Sequence, residues 1–207
     1  MINPVNAETA GADAMDPQLA AVIDNFEAAG VPPWHTMSIV AARQLEDELF
    51  SAGNGPRLRA VRDLAITGPG GDLPIRIYRP GVPDPATLVF YHGGGWVLGT
   101  LDSADDICRR LAAQTDSLVV SVEYRLAPEH PFPAALEDAI AALQWVDANA
   151  AAIGGDPARL GVAGTSAGGN LAAATALRAR DLEGPTLSGQ FLLYPAIQNG
   201  FHTKSYA

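Results

Sequence analysis

The sequence predicts an α/β fold, a mostly parallel sheet with helices on both faces. Two observations carry that prediction. The runs TLVFYHG, SLVVSVEYR, RLGVAG and QFLLYPA are short and almost continuously apolar, as strands covered on both faces are. Helical segments at about 103–115, 134–150 and 167–180 separate them, and such strand–helix–strand alternation builds a parallel sheet.

The remaining elements follow in chain order. Residues 1–15 read as a loose leader, and Asp16-Pro17 as an N-cap followed by proline at the first helical position. Leu19, Val22, Ile23 and Phe26 recur at helical spacing, so an amphipathic helix is expected up to Gly30. After Pro32-Pro33 a second helix is expected over about 38–50, with Val40, Ala41, Leu45 and Leu49 inward and Gly53 as its stop. Beyond Pro56, RAVRDLAIT and LPIRIYRP alternate apolar and polar residues and turn at Gly68–Gly71, as an antiparallel pair does. The chain therefore divides into a leader with a helical appendage, residues 1–54, and a sheet-bearing core, residues 55–207.

Composition narrows the function classes. A length of 207 residues fits one domain with a real core. The formal net charge of −10 leaves no basic stripe for phosphates, which excludes a nucleic-acid partner and an anionic membrane surface. The single Cys108 has no internal disulfide partner and sits on an apolar helix face with Ile107 and Leu111, which reads as core. No basic start with an apolar segment opens the chain, and no apolar run approaches the roughly 20 residues of a membrane span. A cytoplasmic protein is expected.

Two glycine-rich stretches carry the chemistry. LGVAGTSAGGNLAAATAL is a strand, a Gly-x-Ser-x-Gly turn and a helix, the context of a nucleophile elbow with Ser166 at its apex. A plain serine-capped turn is the competing reading of the pentapeptide alone. A dinucleotide site is not: Gly161, Gly164 and Gly168 do not fit G-x-G-x-x-G. HGGGW follows the strand TLVFY, and its Gly93, Gly94 and Gly95 let backbone N–H groups converge where a Cβ would hinder them. Gly94 and Gly95, with the N–H of Ala167, are the expected oxyanion-hole donors. His92 precedes the nucleophile, against the usual order of serine, acid, histidine, and is expected to hold the loop rather than act as base.

YHGGGWVLG, VSVEYRLAPEHPFPAALEDA, GTSAGGNLAA and LLYPA, in this order, resemble the hormone-sensitive-lipase-like carboxylesterases, the bacterial family IV esterases, in the branch with GTSAGG. The resemblance spans most of residues 70–207. It implies an α/β-hydrolase fold, a Ser–His–Asp triad, no cofactor and no metal, and small-molecule esters of short or medium acyl chain as substrates. It also implies that the N-terminal helices form a cap. Trp96 and Leu98 would line the acyl pocket on this view, with core packing as the alternative for each. Arg125, Glu129, His130 and Asp138 belong to a structural turn in the family.

The acid and the base are harder to place. After Ser166 the only acids are Asp181 and Glu183, and the only histidine is His202. A helix from 167 to 180 carries Asp181 about 20 Å from the serine, which excludes it. His202 follows a strand that returns to the active edge, yet in the family the base arrives two strands later. About six of the family's eight strands are expected here, so the chain reads as a fragment of a longer enzyme or as a natural truncation. An inactive binding module and an amide or lactone hydrolase stay open as alternatives. QFLLYPA would then be a bare apolar edge, which favours a homo-oligomer.

Overall fold

A computed structural model of the protein describes residues 15–51, 53–198 and 200. His202 and most of the leader lie outside the described residues. The chain divides into two units, residues 1–38 and 39–207.

The first unit contains α1 (Pro17–Ala28) and a 3-10 turn (Trp34–Thr36). Asp16 caps α1 as expected, its carboxylate accepting from Gln18 N at 2.7 Å. The expected inward face is not buried: Leu19, Val22 and Ile23 are exposed, and no residue of α1 is buried. The spacing was that of a helix, but among the described residues of its own unit the helix has only one short turn beside it.

The larger unit begins with α2 (Ile39–Phe50), so this helix groups with the sheet rather than with the residues before it. Its inward side also differs from expectation. Val40 is 76% exposed and Ala41 is exposed, whereas Ala42 is buried and Leu45 and Leu49 are half-buried. Apolar spacing misplaced the face because α2 docks through polar anchors, Arg43 among them.

The sheet has six strands: β1 (Ala60–Gly68), β2 (Gly71–Arg79), β3 (Ala86–Tyr91), β4 (Leu118–Val122), β5 (Asp156–Thr165) and β6 (Gly189–Leu193). Their order is β1-β2-β4-β3-β5-β6. β1 and β2 form the expected hairpin, Gly68 facing Gly71, and β2 joins β4 antiparallel. β4, β3, β5 and β6 run parallel. The crossovers are α3 (Asp105–Thr115), α4 (Ala134–Ile153) and α5 (Ala167–Asp181).

Successive side chains of a strand point to opposite faces, and the two cores follow that rule. Val89 and Tyr91 of β3, with Leu118, Val120 and Val122 of β4, pack with Leu143 and Val146 of α4. Phe90 and Val119, between them in sequence, pack with Cys108 and Ala112 of α3. All five residues of β4 are buried, four of them apolar and the fifth Ser121.

A charged contact ties the loop after β4 to α4. Asp138 is 1% exposed and accepts from the backbone N and the Nε of Arg125, each at 2.9 Å to Oδ2. The Arg125 guanidinium also reaches Ala134 O and Glu137. Asp138→Ala strands a buried N–H and one side of an ion pair, and is expected to cost about 3 kcal/mol. Asp138→Asn keeps an acceptor and should cost less. Urea unfolding of the three proteins checks the order.

Candidate active site

The turn between β5 and α5 is built around Ser166, which adopts φ 51°, ψ −115°. That backbone region is rarely occupied by residues with a side chain, and it lifts the serine out of the strand. Two glycines make the turn possible. A Cβ on Gly164 would enter the carbonyl of Gly168, and one on Gly168 would enter the carbonyl oxygens of Tyr91 and His92. Hydrogen bonds splice the turn to the end of β6: Ser166 N donates to Leu193 O at 2.9 Å, and Ala196 N donates to Ser166 O at 3.0 Å. Ser166 remains half-exposed at the N-terminus of a helix of 15 residues.

The glycine loop leaves β3, the neighbour of β5, at the same edge, since Tyr91 pairs with Gly164. Gly93 passes so close that a Cβ there would lie 3.5 Å from Ser166 Cβ. Gly94, Gly95 and Trp96 take φ of 110°, 62° and 61°. The bonds that fix this loop use its carbonyls. Val97 N and Leu98 N donate to Gly94 O, Ala127 N to Trp96 O, and Tyr124 Oη to His92 O. None of these bonds uses the N–H of Gly94 or Gly95.

His92 is 3% exposed, its ring stacked on Tyr124 with centroids 4.2 Å apart. Its Nδ1 lies 2.7 Å from Gly93 O, and a carbonyl only accepts, so Nδ1 carries the proton. Nε2 is buried with no partner among the described residues. Burial lowers the imidazole to about 4, so it stays neutral at neutral pH. This geometry fits a loop support, not an exchanging base.

An apolar cavity of about 410 Å³ adjoins the loop, lined by Gly95, Trp96, Phe132, Leu136, Asn170 and Leu171 among others. Trp96 also packs against the core. Leu98 lies behind Gly94, its carbonyl filling the space of the absent Cβ.

The structure thus brings Ser166 and Ala167 together with Gly93–Gly95. Asp181 and Glu183 are not part of that group. α5 rises about 1.5 Å per residue, which places its C-terminal end some 20 Å from the serine, and Asp181 there pairs with Arg180 at 2.7 Å. Arg43, on α2, was not singled out from the sequence. It donates from Nε to Val97 O at 2.8 Å and from Nη2 to Ala127 O at 3.0 Å, and it pairs with Glu129 at 2.7 Å. Arg43 holds the Glu129 carboxyl down to about 2.

Residues 88–207 match the family model described as the alpha/beta hydrolase fold. Among characterised relatives, the chain is 47% identical over 189 residues to the esterase LipI of Mycobacterium tuberculosis, covering 88% of this chain and 57% of LipI. It is 54% identical over 137 residues to the carboxylesterase NlhH of the same organism, covering 65% of this chain and 43% of NlhH. A solved esterase of the archaeon Pyrobaculum calidifontis superposes with a TM-score of 0.82 at 42% identity, over 88% of this chain and 59% of that one. The chain belongs to the α/β-hydrolase family, within its hormone-sensitive-lipase-like esterases. It spans less than two thirds of the length of these relatives. No described helix is long and apolar enough to cross a membrane.

The state of His92 has a pH signature. Above pH 6.5 the imidazole is neutral whether the chain is folded or not. Between 6.5 and about 4 the unfolded chain takes up the proton first, so stability falls as pH falls through that window. The full effect is on the order of 3 kcal/mol. In an NMR titration the His92 ring should keep its neutral shifts down to about pH 5.

Proposed function

We propose that this chain carries the nucleophile and oxyanion hole of a serine ester hydrolase acting on small-molecule esters. The observation that supports this best is the strained Ser166 apex facing the glycine loop across two adjacent strand ends. Ser166 Oγ attacks the ester carbonyl carbon, and its proton passes to a base. The carbonyl oxygen becomes an oxyanion, held by the N–H groups of Gly94, Gly95 and Ala167 and by the positive end of α5. Expulsion of the alcohol, protonated as it leaves, gives the acyl-enzyme, which water cleaves to acid and free serine. The base and its orienting acid are not assigned to any described residue.

The names of two relatives, ethyl acetate hydrolase (Pseudomonas putida, 41% identical) and acetyl esterase (Salmonella typhi, 35% identical), support short acyl groups as substrates here. Trp96, at the cavity beside Gly95, would bound the acyl group. The buried, free Cys108 suits a cytoplasmic setting, and the exposed Phe191 and Tyr194 at β6 suit self-association.

Two measurements test the reading. A fluorophosphonate should label Ser166 and hydrolysis of p-nitrophenyl acetate should depend on it, so Ser166→Ala removes both; labelling that survives sinks the assignment. Gly94→Ala forces a Cβ into the Leu98 carbonyl at φ 110°. It should lower kcat by about 10²–10³ with little change in KM, because the donors act mainly in the transition state.

A further inference from the structure

We propose that Arg43 is a positioning residue for the oxyanion loop, and that α2 acts as the template on which the loop is shaped. This rests on the reading of Gly94 and Gly95 as the donors.

Three contacts carry the inference. Arg43 Nε donates to Val97 O, three residues past Gly94, and Arg43 Nη2 donates to Ala127 O. Ala127 N itself donates to Trp96 O at 2.8 Å. One guanidinium therefore joins two loops already joined to each other, and the segment from Trp96 to Ala127 closes through it. Glu129 takes the other edge of the same guanidinium in a two-pronged pair, with Nη1 to Oε1 at 2.9 Å and Nη2 to Oε2 at 2.7 Å. A planar fork meets these acceptors together, which a lysine ammonium does not. Arg43 thus holds the loop at Val97, next to Leu98, whose N–H bonds to Gly94 O at 2.8 Å. Because Gly94 and Gly95 sit at positive φ with no side chains to hold them, their direction depends on what fixes the residues just after them.

The experiment is hydrogen exchange on the full chain, read on peptides covering 93–99 and 124–130, with ester hydrolysis as a second readout. Arg43→Met should speed exchange of the Val97, Leu98 and Ala127 amides about tenfold or more, with β3, β4 and β5 unchanged. Where wild type hydrolyses p-nitrophenyl acetate, the same variant should lose kcat about tenfold with KM within twofold. Glu129→Gln leaves the bonds to Val97 and Ala127 in place and should keep the loop protected. Arg43→Lys should fall between wild type and Arg43→Met, and it decides the matter if the methionine variant does not fold. Unchanged loop exchange in a folded Arg43 variant overturns the proposal, as does equal loss of protection throughout the sheet. Failure of fluorophosphonate to label Ser166 selectively would count against the esterase reading, and exchange would still judge the role of Arg43.

Discussion

A close backbone approach underlies the candidate site: the backbone of Gly168 lies on the carbonyls of Tyr91 and His92, with no room between them for a methyl group. That approach presses the first turn of α5 against the end of β3. It brings the serine at the head of the helix beside the loop that continues β3. Gly164, near the end of β5, makes room in the same way for the carbonyl of Gly168. The rest of the sheet holds β3 and β5 in the register this requires, Tyr91 opposite Gly164. Strand pairing therefore sets where Ser166 and the glycine loop meet.

Around that contact the protein spends its polar groups on carbonyls. Tyr124, Ala127 N, Arg43 and the His92 ring all bond to carbonyl oxygens of residues 92–97. Anchoring a loop by its acceptors leaves its donors free to converge on something else, which is what stabilising an oxyanion requires. A buried neutral imidazole suits this scheme. It braces the loop by stacking and one bond without placing a positive charge behind the donors.

How much of this was legible in the sequence varies with the physics. β3, β4 and β5 were plain because burial on both faces removes polar residues from a strand. The elbow was plain because its glycines answer to local steric conflicts that few other residues tolerate. The faces of α1 and α2 were not. Apolar spacing presumes an apolar partner, yet Leu19 and Val22 are exposed, and α2 docks by Arg43 while Val40 points outward. An arginine bonding to main-chain carbonyls 54 and 84 residues away leaves no local signature. The stacking of His92 on Tyr124, 32 residues on, is equally invisible in a linear reading.

The splice between the elbow and β6 has a consequence of its own. Both main-chain groups of the serine, amide and carbonyl, are held by residues 193 and 196, and Asn170 clasps Ala196 O from the helix above. Ser166 is thus a bead threaded on two cords, one of them the segment that runs out of β6. Tension or slack in that segment is felt directly at the serine. Residues beyond β6 thereby gain leverage over the orientation of Ser166 through the backbone, whatever their side chains do.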